Sequence, residues 1–207
     1  MLFALATKMV QVDGGVVVAM QKQALLLVDS CSAQDVARIM WALAKMKVDV
    51  HAPLLAAMLE RVKESAGAMS PQSILHLVVA LAKMGRGLGA GLSVAVQGRA
   101  LALVGSFEGR HVVNFLWALA KMDQGIGARL FRAMQTRALA VMTSLNGKNV
   151  ANLFWALAKI GNRLDDRLVR TLQRWAATLV STPPLLPQHP PYPPTPTPSH
   201  PILHHIP

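Results

Sequence analysis

Cysteine, aromatic residues and acidic residues are all scarce in this 207-residue sequence. The single cysteine, Cys31, excludes an internal disulfide and any cysteine-cluster metal site, and it fits a reducing compartment. Aromatic residues make up 5% of the chain and apolar residues 53%, chiefly Ala, Leu, Val and Met. This composition favours close helix–helix packing over a β-sandwich, which depends on β-branched and aromatic residues.

Apolar runs of membrane-spanning length are also absent from the sequence. Lys, Arg, Asp or His interrupts each apolar run well before the roughly 20 residues that a bilayer-spanning helix needs, so we expect no membrane partner. The first residues lack the basic region of a secretory signal, and no Arg- and Ser-rich transit segment is visible.

The ten acidic residues are outnumbered by 21 basic ones, which gives a formal net charge of +11. The excess is uneven: residues 1–69 hold seven basic and six acidic residues, whereas residues 70–182 hold fourteen and four. A basic surface attracts polyanions, above all nucleic acid. A solvated basic face explains the same composition, so charge alone does not decide between the two.

One six-residue pattern recurs along the chain. Its copies begin at positions 3, 41, 79, 117 and 155, so each begins 38 residues after the one before. The sequence is Trp-Ala-Leu-Ala-Lys-Met at 41–46 and 117–122, Val-Ala-Leu-Ala-Lys-Met at 79–84, Trp-Ala-Leu-Ala-Lys-Ile at 155–160, and a shortened Phe-Ala-Leu-Ala at 3–6. A fixed period of this size is typical of stacked-repeat architectures.

Each period predicts two helices. Ser32 supplies a capping residue before the first helix, and Pro53 lies in the opening turn of the second, where a missing N–H has little effect. We therefore predict an all-α fold, a right-handed α-solenoid of 38-residue helix-turn-helix repeats that bury their apolar faces against their neighbours. The predicted array spans residues 1–182, with a partial unit at 1–31 and full units at about 32–69, 70–107, 108–145 and 146–182. Because the chain begins part-way through a unit, we expect a fragment or an incomplete gene model.

Residues 183–207 differ from the rest in composition. They contain eleven prolines and four histidines but no Lys, Arg, Asp or Glu, which predicts an extended or disordered Pro-rich tail. The histidines have no fixed geometry and no cysteine partner, so a Pro-rich ligand segment or a misread exon explains the tail better than a metal site.

Rotation by 100° per residue separates the core of the first helix from a polar stripe. Val36, Met40 and Leu43 fall on the core side, and the period carries the opposite side into every unit. The last polar position is lysine in all four full units: Lys45, Lys83, Lys121 and Lys159. The earlier polar positions vary: Gln34, Asp35 and Arg38; Gln72, Ser73 and His76; Arg110, His111 and Asn114; Lys148, Asn149 and Asn152.

A constant cation beside variable hydrogen-bonding groups suits recognition of single-stranded nucleic acid. Lysine can bind the phosphate, which every nucleotide shares, while the variable side chains select among base edges. A lysine at a helix end also complements the helix dipole, so the fourfold recurrence matters more than any one lysine. Trp41, Trp117 and Trp155 lie next to the stripe, and we assign them to packing between units rather than to base stacking.

The sequence shows no catalytic, cofactor-binding or metal-binding constellation. The glycines at 85–91 superficially match a dinucleotide-binding loop, but no strand precedes them and the period makes them a turn between helices. His51, His76 and His111 lie in different units without carboxylate or cysteine companions. We therefore expect no enzymatic activity, no cofactor, no metal and no small-molecule substrate.

Residues 149–161, Asn-Val-Ala-Asn-Leu-Phe-Trp-Ala-Leu-Ala-Lys-Ile-Gly, resemble the hallmark of octotricopeptide repeat proteins, whose unit also has 38 residues. Residues 34–41 and 112–117 match it less fully, and the resemblance covers roughly residues 1–181. The array is also similar to the leucine-rich region of the FAST-kinase-like mitochondrial RNA regulators. The proline- and tryptophan-containing motif of many octotricopeptide units, and the RAP domain of many members, are missing from the sequence.

The resemblance implies an RNA-binding protein that acts in the processing, stability or translation of chloroplast or mitochondrial transcripts. We thus expect non-catalytic binding of single-stranded RNA, with the four lysines on its backbone and the variable positions setting base preference. Other proteins of an organellar ribonucleoprotein complex are further expected partners. The alternative is a protein–protein interaction scaffold whose concave surface holds a peptide or another helix.

Overall fold

The computed structural model describes residues 13–161 and 164–181, and the regular structure in them is entirely helical. The shortened repeat copy at 3–6 and the Pro-rich tail at 183–207 lie outside the described residues. The prediction of an all-α fold is confirmed for the part of the chain that is described. Its nine α-helices are α1 (Gly14–Leu27), α2 (Ala33–Lys45), α3 (Ala52–Ser65), α4 (Pro71–Met84), α5 (Ala90–Leu103), α6 (Gly109–Lys121), α7 (Ala128–Ala140), α8 (Gly147–Ile160) and α9 (Asp166–Ser181).

Side-chain caps fix where several helices begin. The Ser32 hydroxyl accepts a hydrogen bond from the backbone N–H of Asp35, and the Asp35 carboxylate accepts one from the backbone N–H of Ser32. This capping box satisfies backbone donors in the first turn, so α2 begins at Ala33, directly after the predicted capping residue Ser32. The Ser70 hydroxyl caps α4 by accepting from the backbone N–H of Ser73, and Pro71 occupies the first turn of this helix.

Helices two positions apart in the chain pack against each other, which arranges them in two rows. The first row contains α2, α4, α6 and α8, and the second row contains α1, α3, α5, α7 and α9. Consecutive helices also contact each other across the rows, as in α2–α3, α4–α5 and α6–α7. Short 3-10 turns lead from the second row back to the first at Val28–Ser30, Ala66–Ala68, Val104–Ser106 and Met142–Ser144.

Three arginines of the second row connect helices α3, α5 and α7 to the segments that follow α1, α3 and α5. We call these contacts the arginine joints. The arginine side chains are half-buried, and each Nε donates to a backbone carbonyl 30 residues earlier, just beyond a 3-10 turn. The pairs are Arg61 with Cys31 at 2.8 Å, Arg99 with Met69 at 2.9 Å, and Arg137 with Phe107 at 2.7 Å. These arginines therefore satisfy backbone acceptors rather than forming an external basic surface.

Glutamines of the second row form hydrogen bonds to the loops that precede the next second-row helices, and we call these contacts the glutamine joints. The Oε1 atoms of Gln21, Gln97 and Gln135 accept from the backbone N–H of His51, Gly127 and Asp165 at 2.9, 2.9 and 2.6 Å. The amide nitrogens of Gln21 and Gln97 donate to the carbonyls of Asp49 and Gly125 in the same loops. Leu59 holds the equivalent position in α3, where neither bond can form.

Removing one arginine joint should destabilise the protein. Arg99→Ala leaves the Met69 carbonyl without its charged donor, and we expect a loss of about 1.5–3 kcal/mol in the free energy of unfolding. Urea unfolding followed by circular dichroism measures this loss. The control is Arg129→Ala, which removes an exposed arginine of α7 and should stay within about 0.5 kcal/mol of the parent. Equal losses in the two variants would contradict the structural role of Arg99.

Candidate nucleic-acid interface

The four lysines predicted to bind phosphate lie in the last turns of the four first-row helices or at their ends. Cross-helix contacts show that equivalent ends lie together. His111, in the first turn of α6, hydrogen-bonds Gln72 in the first turn of α4, and Lys159 near the end of α8 pairs with Asp123 just after α6. The lysines therefore occupy the same end of neighbouring helices.

These lysines differ in what they contact. Lys45 is half-buried, and its Nζ lies 5.4 Å from the centroid of the Trp41 ring, a cation–π distance. Lys83 and Lys121 are exposed and make no ion pair within the described residues. Lys159 is also exposed, but its Nζ lies 3.1 Å from the Asp123 carboxylate. Its charge is therefore already balanced by the protein.

Three of the variable side chains form a hydrogen-bonded chain from α6 to α4. The backbone N–H of Glu108 donates to Nδ1 of His111, which leaves the proton of the neutral ring on Nε2. That Nε2 can donate to Oε1 of Gln72 at 3.2 Å, and the Gln72 amide can then donate to Nε2 of His76 at 2.7 Å. This direction satisfies all three groups when both imidazoles are neutral.

The surroundings of the two imidazoles favour the neutral form. Burial lowers the pKa of His76, and the nearby guanidinium groups of Arg38 and Arg110 lower it further. Burial also lowers the pKa of His111, against an opposing effect of the Glu108 carboxylate and with a further lowering by Arg110. His111 is only 5% exposed, although the helical rotation predicted that it lies on the polar surface.

The lowered pKa values predict a loss of stability in acid. The unfolded chain binds these protons more readily than the folded chain, so the free energy of unfolding falls as the pH drops through the ordinary histidine pKa of 6.5 towards the folded values. Thermal unfolding between about pH 7.5 and about pH 5.5 tests this dependence. A His76→Gln/His111→Gln variant should lose most of the pH dependence, whereas His51→Gln, outside the network, should keep it. An unchanged dependence in the double variant would contradict the assignment.

The other predicted base-selecting side chains are divided between local contacts and open surface. Gln34 donates to the Ala68 carbonyl at 3.4 Å, which ties it to the turn before α4. Ser73 is 5% exposed, and its hydroxyl lies 2.9 Å from that of Ser70. Two exposed arginines pair with nearby carboxylates: Arg38 with Asp35 at 3.8 Å and Arg110 with Glu108 at 3.0 Å. Lys148 is exposed, whereas Asn114, Asn149 and Asn152 are half-buried.

The tryptophans pack mostly as expected. Trp41 and Trp117 are half-buried against the core, and the Trp41 ring lies 5.4 Å from the His76 ring of the next first-row helix. Trp155 differs, with 44% of its surface exposed, because no described first-row helix packs beyond α8. Cys31 is half-buried against the core, and burial raises the pKa of its thiol.

The second row also contains a cluster of three arginines that was not predicted from the sequence. Arg167, Arg170 and Arg174 line a cleft of about 510 Å³ between α7 and α9, together with Thr136 and Leu139. None of the three arginines forms an ion pair with a carboxylate in residues 13–161 and 164–181. Their spacing of three and four residues along one helix was a visible signal, since such residues share a face.

The described residues contain no group of three or more His, Cys, Asp or Glu side chains that could hold a metal ion. Among the described helices, none combines the length and the apolar character needed to cross a bilayer. Comparison of the chain with protein-family models and with curated proteins found no match.

Proposed function

We propose that this chain binds single-stranded RNA without catalysing a reaction, as a right-handed α-solenoid of 38-residue helix-turn-helix units. The observation that supports the proposal best is the placement of one lysine near the same end of each of the four adjacent first-row helices. A row of ammonium groups matches the repeating phosphates of a strand, and side chains toward the other helix ends can meet its bases.

In this proposal the lysines contribute unequally to the binding of the RNA backbone. Lys83 and Lys121 are available without breaking a contact, whereas Lys159 must first leave Asp123. Lys45 lies beside Trp41, and its ammonium group can bind a phosphate at the edge of that ring. At about one nucleotide per unit, as in related helical-repeat readers, the four units would address a short site.

Base preference is assigned to the exposed or half-buried variable positions. Gln72 and His76 share their hydrogen bonds within the chain from His111, so together they offer a fixed set of donors and acceptors. Asn114 and Asn152 hold the position of His76 in later units and carry amides that can donate and accept. Ser73 and Asn149 are expected to contribute less to base preference, since the Ser73 hydroxyl lies in the α4 cap and Asn149 belongs to the first turn of α8.

Action on chloroplast transcripts, or alternatively mitochondrial ones, rests on the resemblance of residues 149–161 to octotricopeptide repeats. The same resemblance supports a role in RNA processing, stability or translation alongside other proteins of a ribonucleoprotein complex.

The salt dependence of RNA binding tests the proposal. Fluorescence anisotropy of a labelled single-stranded RNA should show an affinity that falls between about 50 and 200 mM salt, with a logarithmic slope of about −0.7 for each phosphate contact. Three to four lysine contacts give a slope of about −2 to −3. A duplex of the same sequence is the control and should bind more weakly, because its bases are paired. Binding that is absent, or independent of salt, would contradict the proposal.

The scaffold alternative is favoured by one observation. Phe154 and Trp155 on α8 are 38% and 44% exposed, and adjacent exposed aromatics are common at protein–protein contacts. This function predicts a protein partner that survives nuclease treatment of a pull-down and is lost from a Phe154→Ser/Trp155→Ser variant. RNA binding that persists in that variant would favour the RNA function instead.

A further inference from the structure

Two turns of the fold have the same backbone conformation but opposite side-chain charge. Lys47 follows α2 and Asp123 follows α6, two periods of 38 residues apart. Both have positive φ angles, 55° and 54°, and the residue after each donates its N–H to the carbonyl five residues earlier, Val48 to Leu43 and Gln124 to Leu119. The difference between the turns is therefore one of charge and not of shape.

The turn after α6 carries a negative group of its own, the carboxylate of Asp123. This carboxylate lies 3.1 Å from Nζ of Lys159, and both residues line a cleft of about 230 Å³ between the end of α6 and the end of α8. Lys159, in the last turn of α8, thus contacts a carboxylate in the turn that follows α6, the preceding first-row helix. The carboxylate of Asp123 shows where an external oxyanion would bind in an equivalent cleft.

The equivalent cleft beside Lys47 has no such anion. It measures about 290 Å³ and is lined by Lys47, Lys83 and Arg86, together with Asp49 as its one carboxylate among the described lining residues. The three cations are exposed, and none forms an ion pair in the described part of the chain. Three positive groups and one negative group leave a local excess of two positive charges.

We propose that the cleft formed by Lys47, Lys83 and Arg86 is a phosphate-binding site. A phosphate oxygen can replace the carboxylate that occupies the equivalent cleft, and the planar guanidinium of Arg86 can bind two oxygens of one phosphate. The inference that this phosphate belongs to an RNA backbone rests on the proposed function, whereas the inference that the cleft binds phosphate does not.

Backbone hydrogen bonds reduce the opposition of the end of helix α4 to an anion in this cleft. Two carbonyls in its last turn are satisfied, since the N–H of Arg86 donates to Leu81 at 3.0 Å and the N–H of Gly85 to Ala82 at 3.4 Å. Satisfied carbonyls weaken the negative end of the helix dipole. The carboxylate of Asp123 occupies the equivalent environment near the end of α8, so that environment accepts a negative group.

Reciprocal substitutions in the full chain test the site. Lys47→Asp introduces the residue that the equivalent turn already carries at the same φ, and it should pair with Lys83 and close the cleft. Asp123→Lys should release Lys159 and create a second cationic cleft. Lys22→Asp, on exposed α1 surface, makes the same charge change elsewhere and is the matched control.

Two probes separate the possible sources of the phosphate. Inorganic phosphate titrated into labelled protein should shift the amide resonances of residues 83–89, and Lys47→Asp should abolish the shifts while Lys22→Asp keeps them. For single-stranded RNA, Lys47→Asp should weaken binding at least tenfold and reduce the salt slope by about 1.4, the value for two lost contacts. Asp123→Lys should tighten RNA binding and steepen the slope.

Failure of the site and failure of the RNA function give different results. Lys47→Asp behaving like Lys22→Asp with both probes would overturn the site, and the RNA function would stand if the parent protein still bound RNA. Phosphate shifts that Lys47→Asp abolishes, in a protein that binds no RNA, would support the site and contradict the RNA function.

Discussion

Replacing Lys45, Lys83 and Lys121 together with alanine is expected to weaken binding of single-stranded RNA about 100-fold. The estimate takes about 1 kcal/mol for each exposed charge contact, at the upper end of the range for surface ion pairs, and about 1.4 kcal/mol for each factor of ten in affinity. Losing three phosphate contacts should also reduce the logarithmic salt slope by about 2. Anisotropy titrations of the variant and the parent at two salt concentrations measure both quantities.

A variant that loses the same charge from the second row is the control for this prediction. Lys22, Arg129 and Arg132 are exposed residues of α1 and α7, and changing all three to alanine lowers the net charge equally. If both triple variants lose affinity to the same extent, binding depends on overall charge rather than on the first-row lysines. Lys159→Ala alone should have a smaller effect than Lys121→Ala, because Lys159 is paired with Asp123.

The largest effect on stability is expected for Phe107→Ala. Phe107 is 1% exposed, and its ring makes edge-to-face contacts with Phe115 and His111 at centroid distances of 6.0 and 5.9 Å. Its backbone also accepts the hydrogen bond from Arg137. Truncating a buried phenylalanine leaves a cavity and costs about 3–5 kcal/mol. Urea unfolding followed by far-ultraviolet circular dichroism measures the loss.

The control for Phe107→Ala is taken from the repeat itself. Met69 holds the equivalent position one period earlier and is fully buried, so Phe107→Met keeps an apolar side chain of a type that this position accepts. We expect Phe107→Met to lose much less stability than the alanine variant, since methionine adapts to irregular space. A loss below about 1 kcal/mol in Phe107→Ala would indicate that the turn before α6 is not tightly packed.

The sequence predicted much of the helical structure because its signals are local. The period located the first-row helices, and the cap at Ser32 lies where its residue type indicated. The 3-10 turns and the arginine joints were not predicted. Arg61, Arg99 and Arg137 recur at 38-residue intervals and were visible as a pattern, but a pattern of cations does not reveal that its members donate to backbone carbonyls.

The candidate interface was predictable only in part. Lysine positions follow from the period, whereas their availability depends on contacts between helices. Lys159 pairs with Asp123, which has a positive φ in the turn after α6, and sequence spacing gives neither the pair nor that angle. The bond between Gln72 and His111 likewise joins two helices through side-chain directions that a rotation of one helix does not specify.

Net charge by itself does not locate the candidate interface. Residues 70–182 carry most of the positive excess, yet Arg99 and Arg137 bond to backbone carbonyls and Lys159 is paired with Asp123. Lys47, in the nearly neutral first third of the chain, instead belongs to a cleft with uncompensated positive charge. The count of charged side chains therefore differs from the charge that is available to a ligand.

Leu59 interrupts the glutamine joints of the second row, and this has a mechanical consequence. Gln21, Gln97 and Gln135 hold the next loop through directional bonds that weaken when their angle changes. At Leu59 the facing loop is glycine-rich and is anchored by the buried side chain of Leu88, and apolar contact has no preferred direction. We therefore expect bending to cost less at this joint than at the three glutamine joints, and a strand bound as proposed would meet the least resistance to bending here.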